Sequence, residues 1–313
     1  MDKVIVVIGP TASGKSKLAV ELAKIIGGEI ISADSMQIYK FMDIGTAKPD
    51  SAEMQGIKHH LIDEIYPDEE FSVAKFQQLA VKYIDEIIKK GCIPIVAGGT
   101  GLYINSLIYN INFSETISDW ALREELKKEA EEKGNRYLHQ KLEGIDPEAA
   151  GKIHENDVKR VIRAIEVFKH TGRTISYHQQ ISRIVPPKYK FAVVGLKMDR
   201  QKLYAKIDKR VDSMIDKGLA DEVGTLLRLG YDKNAVAMQG LGYKEILACL
   251  KGETSFYEAI EIIKKETRHY AKRQMTWFKR IEGTHWIDLD KCCSQPEMLE
   301  NLKFYLATFG IFL

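Results

Sequence analysis

The sequence predicts an α/β fold, a parallel sheet flanked by helices and interrupted by a helical insertion. Three observations carry this. An apolar run, Val4-Ile5-Val6-Val7-Ile8, leads into Gly9-Pro10-Thr11-Ala12-Ser13-Gly14-Lys15-Ser16 and then into Leu18, Ala19, Leu22, Ala23, Ile25 and Ile26 at helical spacing, which reads as strand, loop, helix. Further short apolar runs at residues 29–32, 93–97 and 189–196 alternate with helix-period segments, the pattern of a parallel sheet. Between residues 113 and 187 the texture becomes helical and charged. Residues 1–112 and 188–313 are therefore expected to form one core, with 113–187 as an insertion.

The first loop meets the spacing G-x-x-x-x-G-K-[ST] in full, so the core is expected to be P-loop NTPase-like. Its glycines let successive backbone N–H groups turn toward one anion. Lys15 adds a positive charge, Ser16 a hydroxyl for a magnesium ion (Mg2+), and the following helix points its positive end at the same place. Something carrying a diphosphate or longer chain binds here. The loop alone does not say whether a phosphate bond breaks.

Composition narrows the field. The chain has 313 residues, 45% of them hydrophobic, with a formal net charge of +2; a nucleic-acid partner must be held by local basic patches. Cys92, Cys249, Cys292 and Cys293 include no C-x-x-C pair, which suits a reducing compartment. No apolar run reaches the roughly 18 residues of a membrane helix, and no targeting segment is read at the N-terminus. A cytoplasmic protein with no membrane contact, working as a monomer, is expected.

Taken in order, the segment from Ala33 to Pro49 fits neither helix nor strand period and follows a strand end, where α/β sheets place their ligands. Asp34 could cap a helix and Met36 could be core. A carboxylate leaving the second strand beside a phosphate loop favours chemistry. His59-His60 suggests a metal site, but adjacent side chains point apart and no third ligand stands at a fitting spacing, so packing or hydrogen bonding is expected. Residues 72–90 read as one helix. The turn Gly98-Gly99-Thr100-Gly101 leaves the next strand, and Thr100 either presents its hydroxyl to the phosphate site or belongs to a plain strand-to-helix turn.

In the insertion, residues 120–133 read as a solvated helix with Glu124/Lys128 and Glu129/Lys133 at i,i+4. A second helix over 156–170 sets Val158, Val161, Ile162, Ile165 and Phe168 on one face and Lys159, Arg160 and Arg163 on the other. Three like charges so close repel, which favours a polyanion partner over a merely solvated face. After the strand at 189–196, Arg210, Met214, Leu219, Val223, Leu226 and Leu227 belong to helices of the resumed core. The last long helix, about 255–281, mixes basic residues with Tyr270, Trp277 and Phe278. That suits an RNA-facing helix, although Trp277 and Phe278 fit a core equally well.

Two absences argue against ordinary nucleotide hydrolysis. The strand ending at Ala97 is followed by glycines, with no metal-holding aspartate, and no Asn-Lys-x-Asp occurs. A small-molecule or nucleotide kinase stays open.

The phosphate loop, Ser32-Ala33-Asp34-Ser35-Met36-Gln37-Ile38-Tyr39, Met42-Asp43-Ile44-Gly45-Thr46-Ala47-Lys48-Pro49, Gly98-Gly99-Thr100-Gly101-Leu102-Tyr103, Arg163-Ala164-Ile165-Glu166-Val167 and Ala271-Lys272-Arg273-Gln274-Met275-Thr276-Trp277 together resemble the tRNA dimethylallyltransferase family, in the same order over nearly the whole chain. The resemblance implies prenyl transfer from dimethylallyl diphosphate to N6 of the adenosine just 3′ of the anticodon. It implies that Gly9, Pro10, Thr11, Ala12, Ser13, Gly14, Lys15 and Ser16 hold the diphosphate, with Mg2+ on Ser16, and that Asp34, Thr100 and Arg210 are catalytic. Asp34 would take the amine proton as nitrogen attacks carbon. It assigns the tRNA anticodon stem-loop to Asp34, Ser35, Met36, Gln37, Thr100, Arg123, Lys159, Arg160, Val161, Ile162 and Arg163. The end at Leu313, without the zinc-finger extension of eukaryotic relatives, points to the bacterial type.

Overall fold

A computed structural model describes residues 1–111, 119–184, 186–292 and 295–313. The chain runs β1 (Lys3–Ile8), α1 (Lys15–Ile26), β2 (Glu29–Ser32), α2 (Ser51–Met54), β3 (His59–His60), α3 (Val73–Lys89), β4 (Pro94–Gly98) and α4 (Gly101–Ile108). There follow α5 (Trp120–Lys133), α6 (Asn135–Ile145), α7 (Pro147–Ala150), α8 (Val158–Thr171) and α9 (Ile175–Ile184). The last stretch holds β5 (Lys190–Lys197), α10 (Arg200–Asp216), α11 (Leu219–Arg228), α12 (Tyr243–Leu250), α13 (Phe256–Phe278), β6 (His285–Asp288) and α14 (Gln295–Ala307). Two compact units result, one of Met1–Asn105 with Lys188–Leu313, the other Ser106–Pro187. The expected start of the insertion at 113 lies outside the described residues.

Among the described residues the first unit holds a six-stranded parallel sheet in the order β3-β2-β4-β1-β5-β6. Strand β1 lies between two neighbours and under helices, which is why Val4 to Ile8 is a continuous apolar run, at most 1% exposed, and not an alternating one. Register then places the site. Ile8 stands opposite Gly98, and Ser32 opposite Ala97, so the carboxyl ends of β1, β4 and β2 release the phosphate loop, the Gly98–Gly101 turn and the Asp34 segment side by side. That is where an open α/β sheet binds ligands.

Helix starts follow local chemistry. Ser72 caps α3 by accepting from the Lys75 N–H at 3.2 Å. Ser255 and Glu258 form a reciprocal capping box that starts α13. Strand β3 turns His59 and His60 to opposite sides, and the His60 ring pairs with Glu29 at 2.7 Å and lies against the Tyr83 ring at a 35° tilt. The histidine pair is built into the sheet edge.

The second unit closes its own core around Leu122, Leu126, Leu138, Leu142, Val161 and Ile165 from α5, α6 and α8. Glu166 lies within this unit, fully buried, and accepts from Arg123 at 2.8 and 3.0 Å, from Arg163 at 2.5 Å and from the Asp119 N–H at 2.9 Å. Burial alone would raise its carboxyl; Arg123, Arg163 and that N–H together hold it below its ordinary value.

In the first unit, Glu222 on α11 does comparable work. It accepts from the N–H groups of Asp43, Ile44 and Gly45 at 2.9, 2.8 and 3.2 Å and from the Tyr243 hydroxyl at 2.6 Å. Burial, then the Glu222 carboxylate, pushes the Tyr243 phenol up. The loop is continuous with the Asp34 segment: Gln37 donates to the carbonyls of Thr46 and Ala47 and accepts from the Ser32 hydroxyl. Removing the carboxylate leaves a fully buried phenol and three loop N–H groups without their acceptor. E222A is expected to lower unfolding free energy by about 2–3 kcal/mol in urea titrations, against roughly 1 kcal/mol for Y243F. Equal losses in the two variants would contradict the clamp.

Candidate active site

The phosphate loop is shaped by its backbone. Gly14 sits at φ 88° immediately before α1, a left-handed conformation that a side chain would strain, and Ala12 is held at φ 62°. The helix therefore opens with its first N–H groups facing outward from the end of β1. Within the loop, Lys15 Nζ donates to the Pro10 carbonyl at 3.2 Å and Arg210 Nη1 to Thr11 Oγ1 at 3.5 Å. Ser13 Oγ is buried without a hydrogen-bond partner, and Ser16 is exposed at the first turn.

Electrostatics make the loop ready for an anion. Burial, and then the neighbouring Arg210 guanidinium, lowers Lys15 to about 8, with Asp34 pulling the other way. Burial likewise pushes Arg210 below its ordinary value, opposed by Asp34 and Glu53. Two cations share a poorly solvated space, which a bound polyanion would relieve. The donors present fit a magnesium ion held mostly by phosphate oxygens and water: one exposed hydroxyl at Ser16, and at the end of β4 glycines and no carboxylate.

Two cavities meet here. One, about 740 Å³, is lined by Ala12 and Gly14 to Lys17 of the phosphate loop with Lys48, Arg210 and Lys217. The other, about 310 Å³, is lined by Thr11, Asp34, Ser35, Met36, Tyr270 and Arg273, among others. Arg210 and Met214 line both. A group in the cationic cleft and a group beside Asp34 are thus separated by little more than one arginine and one methionine.

Asp34 is half-buried and its Oδ1 accepts from the Met36 N–H at 2.9 Å. The aspartate turns its own loop and caps no helix. Ser35 and Met36 line the smaller cavity, so Met36 is part of the site and not plain core. Thr100 Oγ1 accepts from the Ser35 N–H at 3.0 Å and meets the Ser35 hydroxyl at 3.4 Å. Its hydroxyl thus ties the turn after β4 to the Asp34 segment. Tyr270 adjoins the same group: burial and then Asp34 push its phenol up, while the side chains of Thr100 and Gln274 oppose this.

The expected RNA contacts of Val161 and Ile162 are corrected. Val161 is fully buried and Ile162 is 6% exposed; both face the α8 core because the apolar stripe must pack on α5 and α6, so their side chains cannot meet RNA. Arg123 and Arg163 are bound to Glu166, whereas Lys159 and Arg160 are exposed, Arg160 with Asp157 at 3.2 Å. Gln37 is committed to its own loop. On α13, Lys264 pairs with Asp212 and Arg268 with Asp208 on α10, and Phe278 is core; Lys265, His269, Lys272 and Arg273 stay exposed. Glu222, Glu166 and Gln274 hold the architecture, and the motifs gave none of them a role.

Residues 37–281 match the family model described as IPP transferase. A protein of Acetivibrio thermocellus named tRNA dimethylallyltransferase is 66% identical over 313 residues, covering 100% of both chains. A crystal structure of the tRNA isopentenylpyrophosphate transferase from Bacillus halodurans is 42% identical with a TM-score of 0.73, covering 98% of this chain and 96% of that one. A eukaryotic dimethylallyltransferase captured acting on tRNA is 30% identical with a TM-score of 0.82, covering 98% of this chain and 80% of the other. With its parallel sheet, its phosphate loop and these matches along its length, the chain belongs to the tRNA dimethylallyltransferase family.

Proposed function

We propose that the protein transfers the dimethylallyl group of dimethylallyl diphosphate to N6 of the adenosine 3′-adjacent to the anticodon in tRNA. The observation that carries this is the pair of cavities joined at Arg210, cationic on the phosphate-loop side and carrying Asp34 on the other. The N6 lone pair forms a bond to the allylic carbon as the carbon–oxygen bond breaks. The diphosphate leaves with the bonding electrons, and the N6 proton passes to Asp34. Negative charge growing on the leaving group is met by Lys15, Arg210 and the N–H groups opening α1; each well-aimed donor contributes a factor of about 10² or more. A magnesium ion on Ser16 would supply further charge neutralisation when bound. The adenine must leave the stacked anticodon loop to reach this point, and Ser35, Met36 and Tyr270 form the walls it would enter between.

The exposed Lys159 and Arg160 supply backbone contacts to the tRNA stem-loop, with Arg123 and Arg163 oriented by Glu166. We take the protein to act as a monomer in the cytoplasm. Among the described residues no helix is long and apolar enough to cross a membrane.

Two outcomes follow from the site. Unmodified tRNA incubated with protein, magnesium and dimethylallyl diphosphate should yield an isopentenyl adenosine on nucleoside mass spectrometry, and D34A should lower the rate by about 10²-fold or more. Unchanged tRNA with ATP turned over would make the protein a kinase. The second concerns pH. Lys15 of the free protein loses its proton near pH 8, and a bound diphosphate raises it again, so binding takes up a proton above that pH. Affinity for dimethylallyl diphosphate should be flat below about pH 7.5 and fall by up to tenfold per unit above pH 8. Constant affinity up to pH 9.5 would contradict a charged Lys15 contact.

A further inference from the structure

Helix α13 presents Tyr270, Gln274 and Trp277 at i, i+4 and i+7, on one face, to the turn that leaves β4. Tyr270 adjoins Thr100, and Trp277 lies where a side chain on Gly101 would stand, 2.7 Å from its Cβ. Gln274, between them, is 3% exposed. Its Oε1 accepts from the Thr11 N–H at 2.8 Å and its Nε2 donates to the Gly99 carbonyl at 3.0 Å. The amide can face only one way, because a backbone N–H must donate and a carbonyl must accept. The fit is close: a Cβ on Gly99 would come within 2.2 Å of Nε2.

We propose that Gln274 is a positioning residue for the transfer, a buried amide that fixes the phosphate loop to the turn carrying Thr100. Thr100 in turn holds the Ser35 N–H, one residue from Asp34. The path Thr11, Gln274, Gly99, Thr100, Ser35 therefore sets how far the base stands from the diphosphate. This inference rests on the transfer reading above. It also assigns the Thr11 N–H to Gln274, leaving the diphosphate to Lys15, Arg210 and the N–H groups at the start of α1.

Two variants of the full chain test it. Q274M keeps the length and removes both hydrogen bonds. Q274E keeps the acceptor and loses the donor while ionised, but a protonated carboxyl donates and accepts as the amide does. The charged and titratable groups around the position are Lys15, Asp34, Arg210, Tyr270 and Arg273; dividing each rate by the wild-type rate at the same pH removes the titrations the variants share with wild type, and the Q274M ratio shows what the lost amide alone does. Single-turnover transfer by Q274M should be about 10- to 100-fold slower than wild type, with tRNA affinity within about twofold. The Q274E to wild-type ratio should climb as pH is lowered from about 8 to 5.5 while the Q274M ratio stays flat. A wild-type rate in Q274M, or a flat Q274E ratio, would overturn the proposal; if Q274M does not fold, the Q274E ratio decides. Affinity for inorganic diphosphate with magnesium separates the two readings. A wild-type protein that binds diphosphate and transfers nothing refutes the transfer reading alone, and Gln274 is then judged by whether Q274M lowers that affinity about tenfold or leaves it unchanged. A wild-type protein that binds no diphosphate overturns both.

Discussion

Lys15 and Arg210 occupy one half-buried space at the carboxyl end of the central strand, and their mutual repulsion there is offset in part by the carboxylates of Asp34 and Glu53. Much of the surrounding structure serves to keep these charges in place. The sheet register brings three loops to one edge. Glu222 pins the segment beyond Asp34, and Gln274 ties the phosphate loop to the next turn. A free carboxylate facing two cations would collapse into a salt bridge, so it has to be held by backbone hydrogen bonds. Asp34 is held that way, through its bond from the Met36 N–H.

The second unit obeys a similar rule with a different solution. Glu166 is a fully buried charge, tolerable because two guanidinium groups and a backbone N–H surround it. The same contacts fix the planes of Arg123 and Arg163. Those arginines are held where they stand before any partner arrives, while Lys159 and Arg160 remain exposed. The cations of α5 and α8 thus divide into Arg123 and Arg163, oriented by Glu166, and the more exposed Lys159 and Arg160.

Much of this was legible in the sequence because it depends on local rules. The phosphate loop is recognisable since glycine conformations and a helix N-terminus are set within eight residues, and α5 spans Trp120–Lys133 as its charge pattern predicts. What was hidden depends on partners distant in sequence. Gln274 is 263 residues from Thr11, and nothing near Gln274 distinguishes a bridging amide from a solvated one. From its position Thr100 fits either the phosphate site or a plain strand-to-helix turn, because a turn at a strand end faces several loops; register brings its hydroxyl to the Ser35 N–H. The family resemblance places Val161 and Ile162 against RNA, though their spacing already puts them on the apolar face. Where a contiguous motif and a helical period disagree about a side chain, the period is the better guide to its direction.

A phosphate loop that holds a leaving diphosphate, and not a phosphoryl group to be passed on, leaves a distinct set of products. Phosphorus NMR of a reaction containing tRNA, dimethylallyl diphosphate, magnesium and ATP tests this directly. Inorganic diphosphate should appear in equal amount to modified adenosine, with the ATP resonances unchanged. Loss of the γ-phosphate resonance with dimethylallyl diphosphate intact would contradict that role of the loop.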